Sequence, residues 1–342
     1  MEEVFLKNID ILRILKQEYN IEAKEVEKIK GVYRVETEDK VYCLKIVKYE
    51  LQHFLFILSA INHLNDNGFK YAPEIIKTVN GKEYIAIDGF FAYITCWLRG
   101  REVSYDNPIE LELAARKLAE LHKSSQGFVV KEYMRPRVGW FKWIEVYRTR
   151  RGEILDFRDR IYTKKHKTMF DFYFLQLMEG ALDQCDKSIE DLCNSKYEIR
   201  MLEEVKNGGF CHHDYAHHNI LIGDDNELNI IDFDYCILDT HLHDLSSLLI
   251  RAMKYDKWCE ERMKIILRAY NEVYPLKQEE IPIMAAFMEF PQDYWQRGIQ
   301  YYWENKPWDE EFFIKKIKVY EDDRKCRQEF LERFKEVKIS DL

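Results

Sequence analysis

Three oxygen-bearing side chains fall at suggestive intervals in GGFCHHDYAHHNILIGDDNELNIIDFDY, residues 208–235. Asp214 is followed after five residues by Asn219, and Asp232 comes thirteen residues later. Two short apolar segments, NILI and LNIIDF, flank a GDDN turn and read as a hairpin. Asn219 opens the first strand and Asp232 ends the second, so pairing the strands brings both to one end of the sheet. Asp214, on the loop just before, then faces them. A carboxylate and an amide oxygen are hard ligands suited to Mg²⁺, which keeps few protein ligands and shares the rest with phosphates. Asn219 and Asp232 are therefore the expected metal ligands. Asp214 is left to accept or orient the proton of an attacking hydroxyl.

Two other readings compete. Six of the ten histidines lie between His212 and His243, and HHDYAHH suggests a zinc or two-metal hydrolase. Adjacent histidines diverge on a loop or strand, so only some could share one ion. On that count His212 reads as a brace bonded to backbone, and His217 and His218 as substrate contacts or simply exposed. The remaining reading is an ordinary hairpin with acidic turns.

The surrounding chain must position this island. Val4, Ile9, Leu12, Ile14 and Leu15 have near-helical spacing. Residues 26–47 alternate as short strands, and VYCLKIV suits a strand buried on both faces. A helix over 50–67 closes at Gly68, followed by strands in EIIKTV, EYIAI and FFAYITCWL, with a hairpin-type turn at Asn80–Gly81. After Gly100 the pattern is mostly helical, most clearly over 109–123, 169–192 and 244–337. The expected fold is α+β: residues 1–99 form a small antiparallel sheet with an inserted helix, and residues 100–342 a helical lobe.

Composition narrows the function classes. The chain has 342 residues, 46% of them hydrophobic, which allows two lobes with a sizeable core. A net charge of −9 argues against a generic nucleic-acid binder. Yet residues 135–167 hold eleven Lys/Arg against four Asp/Glu. The acidic opening MEEVFLKNID shows no secretory signal, and no apolar run approaches the ~18 residues of a membrane span. The eight cysteines form no CxxC pair and read as reduced, buried thiols.

His212, Asp214, Asn219 and Asp232 together resemble the catalytic segment of the protein-kinase-like fold, H-x-D-x-x-x-x-N followed by a strand-end Asp. D-F-D in place of D-F-G makes the chain similar to the aminoglycoside-phosphotransferase and choline-kinase branch, where a second acid, here Asp234, often follows the metal Asp. Asp244 in HDLSSLL resembles that branch's downstream Asp, which braces the catalytic loop; it also reads as a helix N-cap. The resemblance implies a two-lobed kinase-like fold and a nucleotide site in the small lobe. Lys45 in YCLKIV would hold ATP (or GTP) phosphates, and backbone near Thr95, Cys96 and Trp97 would meet the adenine. Two features depart from the pattern. The expected phosphate loop has only Gly31, and the helix that should partner Lys45 with a glutamate offers only Glu50, at its very start.

CHHDYAHHNILI, LAELHKSS, FPQDYWQRGIQYYWE and the charged terminal helix also resemble the CotS-type spore-coat proteins, over about residues 21–334. That resemblance implies synthesis in the cytoplasm of the mother cell, association with the spore coat and with other coat proteins, and a kinase-like fold. The implied activity is a phosphotransferase moving the ATP γ-phosphoryl to a hydroxyl or amine. The alternative is a coat scaffold that keeps the fold without turnover. The basic block falls where this branch places helices over the acceptor, within 135–200. Trp140, Trp143 and Tyr147, with Arg148, Arg150 and Arg151, would face a sugar-like or anionic small molecule; otherwise the block is a solvated helix.

Overall fold

The computed structural model describes residues 8–342, so Val4 lies outside the described residues. Helix α1 (Asn8–Tyr19) precedes three strands, β1 (Glu25–Ile29), β2 (Val32–Glu36) and β3 (Val41–Val47). Helix α2 (Leu51–Asp66) follows, then β4 (Ile75–Ile76), β5 (Ile85–Ile87) and β6 (Phe90–Cys96). The sheet is antiparallel, in the order β1-β2-β3-β6-β4, with β5 also paired to β6. Phe54, Ile57, Leu58, Ile61 and Leu64 recur every three or four residues along α2 and are all buried, forming one apolar face. Gly68, at φ +84°, ends the segment as read from the sequence.

The Asn80–Gly81 turn forms, but it does not join paired strands: β4 and β5 both pair with β6. In this stretch the two-residue hairpin is β5–β6, and its turn is Asp88–Gly89, both at positive φ (48° and 82°). Asp-Gly suits that turn because both positions require left-handed backbone.

Between the end of β6 and β7 (Arg101–Glu102) the chain passes to a second sheet, β7-β8-β9, with β8 at Ile220–Ile222 and β9 at Leu228–Ile230. β7 is too short to leave a pattern in the sequence. Helices make up most of the rest. They are α3 (Pro108–Ser125), α4 (Trp143–Thr163), α5 (Met169–Asn194), α6 (Tyr197–Asn207), α7 (Leu242–Met253), α8 (Glu260–Asn271), α9 (Glu280–Glu289), α10 (Gln292–Gly298) and α11 (Glu310–Lys335). Local chemistry sets several starts. Asn107 caps α3 ahead of Pro108, and Thr168 with Asp171 forms a capping box on α5. None of the described helices is long and apolar enough to cross a membrane.

The core has two parts. A small cluster lies between α1 and the sheet, from Ile11 and Leu15 to Val35, Leu44 and Ile94. The larger one runs from Val47 through α2 into the helical lobe. All eight cysteines are free, but only Cys185, Cys211 and Cys236 are buried and Cys193 is exposed, so the buried-thiol expectation holds for three.

One polar knot sits inside the helical lobe. Arg200 Nη2 donates to Glu204 Oε1 at 2.7 Å, and its Nε lies 2.9 Å from Glu280 Oε1. His241 Nδ1 is 3.0 Å from the same Glu204 oxygen. The knot ties α6, α9 and the residue just before α7. Burial opposes the His241 charge, but the Glu204 and Glu280 carboxylates outweigh it and raise its pKa to about 9. Burial likewise opposes Glu204 ionisation, but His241 and Arg200 hold its pKa down at about 2. A raised histidine stabilises the fold fully below its unfolded value and loses that contribution as pH passes its folded value. We therefore expect about 3 kcal/mol from His241 to be present near pH 6 and lost as pH rises through about 9. Urea melts of the parent and of His241→Gln should converge across that window; a constant gap between them would contradict the assignment.

Candidate active site

Ile220 pairs with Ile230 in the β8–β9 ladder, and the Ile231 N–H continues it by donating to Asn219 O at 2.9 Å. That register sets Asn219 beside Asp232, two residues beyond β9. Asn219 ends a short 3₁₀ turn (His217–Asn219) that leads into β8. Its Nδ2 donates to Asp214 O (3.0 Å) and to Asp214 Oδ2 (3.1 Å), which turns Oδ1 away from Asp214. The structure thus brings Asp214, Asn219 and Asp232 together. An amide oxygen and a carboxylate at one strand end fit a hard divalent cation.

The loop carrying Asp214 is held from behind. Asp244 is buried in the first turn of α7, and its carboxylate accepts from His212 N (2.7 Å), His213 N (2.9 Å) and His122 Nε2 (3.3 Å). It braces the loop; the residue at the N-cap is His241. Burial disfavours the Asp244 charge, yet the His122 hydrogen bond and the His243 imidazole 3.7 Å away hold its pKa well below the usual range. His212 is a brace as expected: Nε2 reaches Ile231 O at 3.0 Å, and Nδ1 accepts from Asp214 N at 3.3 Å. His213 sits at φ +68° and Asp232 at φ +64°, strained positions for residues with a Cβ.

The histidine-metal alternative does not assemble from HHDYAHH. His217 and His218 are exposed. Among the described residues, the grouped potential ligands are His122, Cys211 and Asp244. That group is already bonded within the protein, with Cys211 Sγ donating to Thr240 O at 3.0 Å. Burial raises the Cys211 pKa well above the ordinary thiol value, so the sulfur stays protonated.

Lys45 projects from β3 to Asp232 Oδ1 and Asp234 Oδ1, each at 2.7 Å. Tyr49 OH donates to Asp234 Oδ2 at 2.8 Å. The partner missing from α2 is therefore supplied by the second acid of D-F-D, steadied by Tyr49. Burial opposes the Lys45 charge, and Tyr93 together with the Asp234 and Asp232 carboxylates more than offsets it. Thr95 and Cys96 pair with Cys43 and Tyr42 inside the sheet, and the Trp97 N–H is spent on Val41 O at 2.9 Å. That removes the Trp97 N–H from the expected adenine contacts. The turn carrying Gly31 is only Lys30–Gly31, since Ile29 already pairs with Val32.

On the other side of Asp214 opens a cavity of about 1170 Å³. The loop carrying Asp214, α4, α7, α9, α10 and α11 all contribute to its lining. Trp143 packs on Phe287 at 4.8 Å between centroids, and Tyr147 stacks on Phe290 at 4.0 Å. Trp143 Nε1 donates to Asp239 Oδ2, and a Cβ on Gly139 would lie 2.5 Å from that oxygen, so Gly139 must lack one. The basic block divides. Trp143, Tyr147 and Arg150 line the cavity, whereas Trp140, Arg148 and Arg151 do not, and Arg151 is paired with Asp186 at 2.6 Å. Two residues escaped the sequence reading: Arg251, which donates to Asp214 Oδ1 at 2.8 Å, and Asp239. No local motif marks the Arg251 pairing, because it spans distant segments.

Comparison with known proteins gives three findings. Residues 12–334 match the family described as "Spore coat putative kinase YutH". The chain is 25% identical to spore coat protein S of Bacillus subtilis (strain 168), over 90% of this chain and 87% of that protein. Among solved structures, an aminoglycoside phosphotransferase from Alicyclobacillus acidocaldarius aligns with a TM-score of 0.84 at 17% identity, covering 100% of this chain and 98% of the other. Spectinomycin phosphotransferase APH(9)-Ia, solved with ADP and spectinomycin, aligns at 0.73 and 16% identity, covering 97% and 99%. At such identities the structural likeness establishes the fold.

Proposed function

This chain belongs to the family of spore coat putative kinase YutH, and from that premise we propose a coat-associated phosphotransferase that moves the ATP γ-phosphoryl to a hydroxyl or amine of a small molecule. The observation carrying the reading is the convergence of Asp214, Asn219 and Asp232 beside Lys45, with a cavity opening at Asp214. Asn219 Oδ1 and Asp232 would hold Mg²⁺. Bound there, the ion would neutralise phosphate charge. Lys45 places the phosphates, anchored by Asp234. Asp214 orients the acceptor and takes its proton, with its own carboxylate positioned by Asn219 and Arg251. Catalysis on this reading is positioning plus charge neutralisation.

A coat scaffold without turnover is the second reading. The two-residue Lys30–Gly31 turn favours it, because so tight a turn offers few N–H groups to a triphosphate. Thermal unfolding separates the two. A binder gains about 2.7 kcal/mol at a hundredfold excess over Kd, so ATP should raise the midpoint by several degrees only with Mg²⁺. Absence of any nucleotide response would favour the scaffold, and stabilisation by Zn²⁺ alone would revive the histidine-metal reading.

A further inference from the structure

The cavity beside Asp214 has an unusual balance of partners. Its acids are already engaged. Asp293 bonds Lys254 at 2.8 Å, Glu145 bonds Lys142 at 2.9 Å, Asp239 takes the Trp143 indole and Glu153 the Trp295 indole. Three of its guanidinium groups, Arg150, Arg297 and Arg327, have no carboxylate within ion-pair distance among the described residues. Arg150 donates to the Gln292 amide oxygen at 2.6 Å and lies over the Trp295 ring at 4.2 Å. Arg297 donates to the Gln300 amide oxygen. Among the described residues, neither forms an ion pair; burial lowers the pKa of both, although Glu153 acts on Arg150 and Asp293 on Arg297 in the opposite direction.

Arg327 is the sharper case. It is 5% exposed, lines the same cavity and lies 5.8 Å from the Tyr320 ring centroid, yet among the described residues neither its Nε nor its Nη2 has a hydrogen-bond partner. The carboxylates that feel its charge, Glu289 and Asp293, are bonded to Gln184 and Lys254. A buried charged donor left unmatched costs several kcal/mol unless an acceptor arrives. Three forked donors, supplied by α4, α10 and α11, suit an oxyanion, which guanidinium groups bind in bidentate geometry.

We infer that Arg150, Arg297 and Arg327 form an anion subsite of the acceptor cavity, so the acceptor is a hydroxyl or amino compound carrying a carboxylate or phosphate. The inference rests on the phosphotransferase reading for the word acceptor; the subsite itself does not. A polycationic acceptor would meet uncompensated positive charge here. FPQDYWQRG thereby acquires a role, since it contributes Gln292, Trp295 and Arg297.

The test uses the full chain and a matched hexose series, glucose, gluconate and glucose 6-phosphate, with spectinomycin as the cationic probe. Thermal shift is read with and without saturating Mg²⁺·ADP. Gluconate or glucose 6-phosphate should raise the midpoint, and which of the two does so names carboxylate or phosphate. Glucose and spectinomycin should not. Arg150→Gln and Arg327→Gln should each weaken anion binding at least tenfold, about 1.4 kcal/mol, while leaving the Mg²⁺·ATP shift at its parental size. If Arg327→Gln does not fold, Arg150→Gln and Arg297→Gln carry the comparison. Equal stabilisation by glucose or spectinomycin, no response to either anion, or unchanged anion affinity in the variants overturns the inference. A missing ATP response would count against the phosphotransferase reading alone, because the anion series is also read without nucleotide.

Discussion

Asp232→Ala is expected to abolish Mg²⁺-dependent ATP binding, whereas Asp214→Asn should bind nucleotide like the parent and lose turnover. The two carboxylates sit within one cluster but face different partners. Asp232 touches Lys45, and burial's upward pull on its pKa is overcome by that ammonium, so the group is ionised and ready for a cation. Removing it takes away the charged member of the proposed ligand pair and one anchor of Lys45. Asp214 touches Asn219 and Arg251 and borders the cavity proposed to take the acceptor. Asparagine keeps its shape and loses its basicity, and a positioned general base is worth about 10²–10⁴ in rate. Calorimetric titration with Mg²⁺·ATP reads the first effect. Phosphate release from ATP, with water as acceptor, reads the second. Parental Mg²⁺·ATP affinity in Asp232→Ala would falsify the metal assignment.

Asp244→Ala should be the most damaging single change to stability outside the apolar core. Its carboxylate is 1% exposed and accepts from two consecutive backbone N–H groups and one imidazole. Alanine leaves three donors in a site that water does not reach. Each unmatched buried donor costs about 1–3 kcal/mol, and breaking such a network costs on the order of 3–5 kcal/mol. That is a large share of the ~5–15 kcal/mol holding a typical domain. The urea midpoint should fall accordingly with an unchanged slope. Asp244→Asn, which keeps one oxygen, should fall between. Because His213 is held at positive φ by this brace, any Asp244→Ala protein that folds should also lose phosphate release. A midpoint within error of the parent would refute the brace.

The central triad was legible because its information is local. Two intervals and two short strands place Asn219 beside Asp232 through ladder register alone. The lysine's partner was not legible, because the expectation was tied to α2 while the acid came from 187 to 189 residues away in D-F-D. The basic block held a signal that composition hid. Trp143, Tyr147, Arg150 and Ile154 recur at four, three and four residues, one face of α4, whereas Arg148 and Arg151 fall on another. Read by helical period, Arg150 stands apart from its neighbours. Arg251 and Arg327 had no such signature, since each owes its role to helices packed from distant parts of the chain.

Lys45 leans on carboxylates that belong to the other half of the molecule. The strut joins Tyr49 and Lys45, on or just beyond β3, to Asp232 and Asp234, just beyond β9. Any displacement that parted β3 from the segment beyond β9 would set the lysine adrift in the same motion. On the proposed function, the group that aligns the phosphate tail is therefore steadied from outside its own sheet, and the sheet taken alone would not hold it in place.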